Sequence, residues 1–142
     1  WCRDHLMIIA ASHHQLALEK SITLQQLRPY HWVLREPGSG TRDVFDGYIH
    51  QHLHHINVRR EYDHTPIIRA MVKNSDYISC LPFLDVERDI QRGKLVALNV
   101  PELDMERTLS FIWRKDMDDN PLMKCFMEEG FKMIMSNQVG AK

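Results

Sequence analysis

Short apolar runs alternate with longer amphipathic stretches along this chain. The short runs suit buried strands, and the longer stretches repeat apolar residues every three or four positions, as helices do. The predicted strands are His5 to Ala11, Trp32 to Arg35, Val58 to Tyr62, Tyr77 to Leu81, Leu95 to Val100 and Thr108 to Trp113. The predicted helices are a single turn at Thr23 to Leu27, then Arg42 to Ile56, Pro66 to Lys73, a helix that Pro82 opens and Gly93 closes, and Asn120 to about Met135. This alternation predicts an α/β fold with a mainly parallel sheet flanked by helices.

The second strand ends abruptly in a turn with glycines on both sides of Ser39. Either Ser39 or Thr41 can cap the helix that follows, and Gly38 and Gly40 allow close approach to the backbone. An anion at such a helix start meets unpaired N–H groups and the positive end of the helix dipole. We therefore expect Ser39, Gly40 and Thr41 to contact a phosphate, sulfate or carboxylate. The alternative is a turn that only caps its helix.

Bulk composition narrows the function without defining it. An apolar fraction of 44% suits one compact domain, and 18 basic against 19 acidic residues leave no basic stripe for direct nucleic-acid binding. No apolar segment is long enough to cross a membrane. The three cysteines form no C-x-x-C pair, which favours a reducing, cytoplasmic setting, with Cys80 as a buried thiol. Because the chain begins at Trp1, we expect a piece of a longer protein.

Metal and catalytic sites are not predicted. His50 and His54 stand four apart on a predicted helix, but neither an H-E-x-x-H motif nor a cysteine pair accompanies them, so solvated histidines are expected. Glu36 has no acid or base partner in the sequence, and Ser39 lacks the spacing of a nucleophile elbow. The methionine-rich C-terminal helix suits core packing or an adaptable partner surface. A sensor is therefore favoured over an enzyme.

The octapeptide Arg35 to Arg42 (R-E-P-G-S-G-T-R), preceded by a tryptophan-led strand, resembles the turn in the effector-binding domain of LysR-type transcriptional regulators. Four further segments resemble other parts of that domain. They are Leu6 to Ala17, Ser21 to Leu27, Asp89 to Leu98 and Phe111 to Lys115. The resemblance covers nearly the whole chain.

The resemblance implies a fold like that of type 2 periplasmic binding proteins, in which two crossing strands join two α/β subdomains around a ligand cleft. Residues 1–107 would form the second subdomain, and residues 108–142 the crossover strand and C-terminal helix of the first. The rest of the first subdomain and the DNA-binding domain would be absent. The effector-binding residues would be Glu36, Pro37, Gly38, Ser39, Gly40, Thr41 and Thr65.

The implied function is effector sensing by a cytoplasmic transcriptional regulator. Members with this form of turn resemble regulators of sulfur assimilation and carbon fixation, so a small inorganic or carboxylate anion is the expected effector, with no cofactor. DNA would be bound only through an N-terminal winged helix-turn-helix, the membrane would not be a partner, and the intact protein would form a homodimer or tetramer. The alternatives are a periplasmic solute-binding receptor, which shares the fold, and an anion-handling enzyme.

Overall fold

The computed structural model describes residues 2–53, 55–110, 112–117 and 120–139. The chain divides into two compact units. The larger is Arg3–Arg107, and the second contains Cys2 and the described residues from Thr108 onward.

Strands and helices alternate through most of the larger unit. The strands are β1 (Cys2–Ala11), β2 (His31–Arg35), β3 (Asn57–Tyr62), β4 (Ser79–Pro82), β5 (Leu95–Leu98) and β6 (Met105–Leu109). The helices are α1 (Leu24–Leu27), α2 (Gly40–Ile49), α3 (Thr65–Lys73), α4 (Phe83–Gln91) and α5 (Pro121–Val139), with 3₁₀ turns at Gln15–Leu18 and Lys115–Met117. The predicted α/β class is confirmed.

Four strands, β2 to β5, run in one direction, and β1 runs opposite to them. β2 pairs with β3 in parallel, and a parallel bridge between Trp32 and Ile78 links β2 to β4. β4 and β5 both pair with β1 antiparallel, and β6 also pairs with β1. Strands β2 to β5 therefore share one direction, as predicted, whereas β1 runs opposite to them. Residues 12–30 join β1 to β2 with only two short helical turns and lack the full crossover helix that usually joins parallel strands.

Two predicted boundaries are wrong. The helix predicted over Arg42 to Ile56 ends at Ile49, although Leu53 and Ile56 beyond it are still buried. Their spacing imitates a helix because the segment packs on the core without being helical. The strand predicted over Thr108 to Trp113 lies earlier, at Met105–Leu109, where Met105 is only 1% exposed.

Two apolar clusters cover the two faces of the sheet, because successive strand residues point to opposite sides. One cluster contains Trp32 and Phe45, whose ring centroids are 5.2 Å apart, so it fixes α2 against β2. The other contains Val33 with Ile68 and Val86, which come from α3 and α4. The three helices that follow β2, β3 and β4 are thus packed on the sheet.

Candidate functional site

Three helices begin where three strands end. α2 follows β2, α3 follows β3 and α4 follows β4, and these strands share a direction. Their helix N-termini therefore lie along one edge of the sheet, where unpaired N–H groups and positive dipole ends favour anions. This edge is the candidate site.

The turn between β2 and α2 has a defined geometry. Gly38 adopts a φ of +87°, a conformation that favours glycine. The Ser39 N–H donates to the Glu36 carbonyl at 3.2 Å, and the Ser39 hydroxyl accepts from the Arg42 N–H at 3.2 Å. Of the two predicted caps, Ser39 is therefore the one that caps α2.

The N–H groups of Gly40 and Thr41 are the free donors of the turn. The Ser39 cap accepts from the N–H of Arg42, which follows them. Neither the Gly40 N–H nor the Thr41 N–H has an acceptor among the residues that the structure describes. Gly40 is exposed, and a Cβ built on it would meet no atom within 4 Å. Gly40 therefore offers an open approach, whereas Thr41 next to it is only 5% exposed.

Arg42 holds the turn in place. Its Nη1 donates to the Arg35 carbonyl at 2.9 Å and to Glu61 Oε1 at 2.6 Å, and its Nε lies 2.9 Å from both Asp46 carboxylate oxygens. These bonds tie the end of β2 to β3 and α2. Burial alone would lower the pKa of Arg42, but its bonds to Glu61 and Asp46 outweigh that effect and raise it. Arg42 is therefore a permanently charged structural clamp.

Glu36 and Thr65 have different positions at this edge. The Glu36 carboxylate accepts from Arg35 Nε at 2.8 Å and Nη2 at 2.9 Å, and this pairing lowers its pKa. An ionised Glu36 repels anions, so its contribution is to shape the turn, together with the exposed Pro37. Thr65 is half-buried at the first position of α3, where His64 makes no side-chain cap.

One charged residue that the sequence did not single out reaches the turn, and it is paired with a second. Arg107 of β6 donates from Nη1 to the Thr41 hydroxyl at 3.2 Å. The same guanidinium faces Asp4 of β1, whose Oδ2 lies 2.9 Å from Nε and 2.7 Å from Nη2. Asp4 lies within a strand and its side chain is only 1% exposed. Its sequence neighbours Arg3 and His5 are polar, so no local pattern marks it as buried.

The histidines do not form the predicted helix face. His50 caps the C-terminus of α2 and His52 lies beyond it, both exposed, while His54 lies outside the described residues. No group of three or more His, Cys, Asp or Glu residues in the described part of the chain could hold a metal ion. Cys80 is fully buried in β4, and burial raises the pKa of its thiol, so it has the character of a core residue.

Two grooves are lined by residues outside the turn. A groove of about 850 Å³ lies along α3 and the segment before β4, with Ile67, Met71 and Tyr77 among its lining residues. A second groove of about 440 Å³ follows α5 beside Trp113.

No helix in the described ranges is long and apolar enough to cross a membrane.

Replacing Gly38 by Ala is expected to destabilise the protein, because a side chain is strained at a φ of +87°. The expected cost is about 1–2 kcal/mol of unfolding free energy. Gly47→Ala is the matched control, since Gly47 lies inside α2 with open space around its Cβ and should gain about 0.5–1 kcal/mol. Urea denaturation of both variants measures the two effects, and equal shifts would contradict the turn geometry.

The fold is α/β and of the kind found in type 2 periplasmic binding proteins. Residues 1–130 match the family model described as the LysR substrate binding domain. The chain therefore belongs to the LysR substrate-binding domain family, and the predicted resemblance is confirmed.

Sequence relatives are transcriptional regulators. The chain is 36% identical over 114 residues to the Escherichia coli (strain K12) protein named uncharacterized HTH-type transcriptional regulator YeiE, covering 80% of the chain and 38% of the relative. It is 30% identical to the RuBisCO operon transcriptional regulator of Acidithiobacillus ferrooxidans, covering 95% of the chain and 44% of the relative. The chain therefore spans about two fifths of the length of these relatives.

Solved structures share the fold. The Synechocystis PCC6803 CcmR regulatory domain in complex with 2-PG has a TM-score of 0.78 at 23% identity, covering 93% of this chain and 64% of that one. The effector binding domain of QuiR in complex with shikimate has a TM-score of 0.72 at 18% identity, covering 94% of this chain and 63% of that one.

Proposed function

We propose that this chain is the C-terminal part of the effector-binding domain of a cytoplasmic LysR-type transcriptional regulator, and that it senses a small anion at the start of α2. The observation that carries the proposal is the pair of free N–H groups on Gly40 and Thr41, at the positive end of a helix fixed by the Ser39 cap and the Arg42 clamp. Effector binding would alter transcription through a DNA-binding domain elsewhere in the protein. The chain is not proposed to be an enzyme.

The proposed division of labour follows the two units. Residues 1–107 would form the second subdomain of the effector domain, and residues 108–142 would belong to the first. The separation of the units between Arg107 and Thr108 supports this assignment. So does the exposure of apolar side chains on α5, such as Leu122 at 81%, which the remainder of the first subdomain would cover. DNA binding through an N-terminal winged helix-turn-helix, and pairing as a homodimer or tetramer, belong to the intact protein in this proposal.

Glu36, Pro37 and Gly38 would shape the effector site, while Ser39, Gly40, Thr41 and Thr65 would line it. The relatives solved with 2-PG and with shikimate support a small-molecule effector of this domain type. The helix-start donors favour an acid group on that molecule, because charge-assisted hydrogen bonds to backbone N–H groups are the strong interactions available there.

Titration calorimetry on the intact protein tests the proposal, with sulfate, phosphate, acetate and glycolate as probes. At least one of them should bind saturably, and Thr41→Val should weaken that binding about tenfold, because one hydroxyl contact to a charged group contributes roughly 1.5–3 kcal/mol. Binding of none of the four would overturn the anion site. A gel shift with the cognate promoter, with and without the bound anion, tests whether occupancy reaches DNA.

A further inference from the structure

Arg107 brings spare donors to the turn. A guanidinium has five N–H donors. The contacts of Arg107 with the Thr41 hydroxyl and with Asp4 Oδ2 use one donor on each of its three nitrogens. Two N–H groups therefore have no acceptor in the part of the chain that the structure describes. The Arg107 side chain is 21% exposed, so it is neither sealed in the core nor fully solvated.

Asp4 holds the other side of this guanidinium and is itself incompletely satisfied. Its Oδ2 binds Arg107, but its Oδ1 has no hydrogen-bond partner among the described residues, in a side chain that is 1% exposed. Buried carboxylate oxygens almost always accept a hydrogen bond. An unpartnered, buried acceptor therefore lies on the residue whose other carboxylate oxygen holds Arg107, and Arg107 in turn contacts the Thr41 hydroxyl.

We infer that Arg107 and Asp4 are further effector-binding residues, and that the effector is a small anion with a hydroxyl or amino group next to its acid group. This inference rests on the proposed function, because it presumes an anion at the start of α2. The acid group takes the N–H groups of Gly40 and Thr41 together with the spare N–H groups of Arg107, a fork that matches a planar carboxylate or a phosphate. The adjacent hydroxyl or amine donates to Asp4 Oδ1.

A purely structural role for the pair makes a different prediction. An ion pair that only fastens β1 to β6 would affect the stability of the fold, and its loss would change the affinity for all small anions alike. If the pair contacts the effector, the two substitutions have different effects on affinity. A change at Arg107 weakens binding of the acid group, and a change at Asp4 weakens binding of the neighbouring donor group.

Calorimetry on the intact protein with acetate and glycolate separates these roles, because the two probes differ by one hydroxyl. The wild type should bind glycolate about tenfold more tightly than acetate, as expected for one hydrogen bond to a charged group. Arg107→Gln should weaken both probes by about tenfold or more. Asp4→Asn should leave the affinity for acetate within about threefold of the wild type. It should reduce the preference for glycolate over acetate from about tenfold to about threefold, because the charged acceptor of the hydroxyl is gone.

Two variants guard these outcomes. Arg107→Gln leaves the buried Asp4 carboxylate unpaired and can unfold the protein. In that case the double variant Asp4→Asn/Arg107→Gln, which has a neutral hydrogen-bonded pair, is measured in place of the single variant. If the double variant binds acetate as tightly as the wild type does, Arg107 does not contact the acid group and has a structural role only. If Gly40→Val abolishes binding while Arg107→Gln and Asp4→Asn bind both probes as the wild type does, the inference is wrong and the proposed function stands. If the wild type binds none of the four probes, both are wrong.

Discussion

Gly40→Val is expected to abolish effector binding while leaving the fold intact. A Cβ at Gly40 meets no atom within 4 Å beyond its chain neighbours and nearby helix backbone, and Gly40 has no positive φ, so a side chain is tolerated there in the free protein. A side chain there also covers the exposed surface of Gly40, next to the N–H groups of Gly40 and Thr41. Loss of two charge-assisted hydrogen bonds, each worth roughly 1.5–3 kcal/mol, corresponds to a loss of affinity of more than about 100-fold.

Gly47→Val is the matched control for this prediction. Gly47 lies in the same helix, is exposed and has open space at its Cβ, but it is two turns away from the N-terminus. Titration calorimetry and thermal unfolding of the intact protein should give both variants similar melting temperatures, with binding lost only in Gly40→Val. Wild-type affinity in Gly40→Val would mean that the turn serves only as a helix cap.

Local signals in the sequence predicted the turn well. The strand before it, the glycines and the serine cap all act within a few residues of one another, and the structure has β2, the positive φ at Gly38 and the Ser39 cap where these signals indicate. The start of α3 was similarly predicted at Pro66, because proline favours the first turn of a helix, and the helix begins one residue earlier, at Thr65. The parts of the site that depend on neighbours along the chain could therefore be read from sequence.

The parts of the site that depend on distant contacts could not be predicted in this way. Asp4 and Arg107 are 103 residues apart, and no local pattern indicates that β1 and β6 bring them together at Thr41. The reversed direction of β1 was missed for a related reason, since strand direction follows from the connection and not from the apolar run itself. The overlong α2 prediction came from Leu53 and Ile56, whose burial is tertiary rather than helical.

Asp89 provides the second large prediction, which concerns stability. Its side chain is 7% exposed in α4, where Arg69 Nε lies 3.0 Å from Oδ2 and Lys73 Nζ lies 3.2 Å from Oδ1. One buried carboxylate thus joins α4 to two cations of α3. Asp89→Asn keeps the shape but leaves these cations facing a neutral amide, and the expected cost is about 2–4 kcal/mol of unfolding free energy at pH 7, near the range for broken buried pairs.

Asp85→Asn is the control, since Asp85 is an exposed residue of the same helix. Arg69 Nη1 also donates to the Asp85 backbone carbonyl, at 2.9 Å, and that bond survives the control substitution. The change at Asp85 should therefore cost less than about 0.5 kcal/mol, as surface substitutions usually do. Urea denaturation of the wild type and both variants at pH 7 measures the difference, and equal costs at the two positions would show that the α3–α4 link does not depend on the Asp89 charge.

The pH dependence of the unfolding free energy is an independent test of the role of the Asp89 charge. Burial alone would raise the pKa of Asp89, but the hydrogen bond and charge of Lys73 and the charge of Arg69 outweigh it, so its pKa is lowered in the folded protein. A carboxyl whose folded pKa lies below its unfolded value of about 3.9 stabilises the fold fully at higher pH and loses that contribution as pH falls through the folded value. The stability gap between the wild type and Asp89→Asn should therefore stay constant from about pH 7 to 5 and narrow below about pH 4. If the difference in unfolding free energy keeps its full size as the wild-type carboxyl becomes protonated, the substitution destabilises the protein through packing and not through loss of the Asp89 charge.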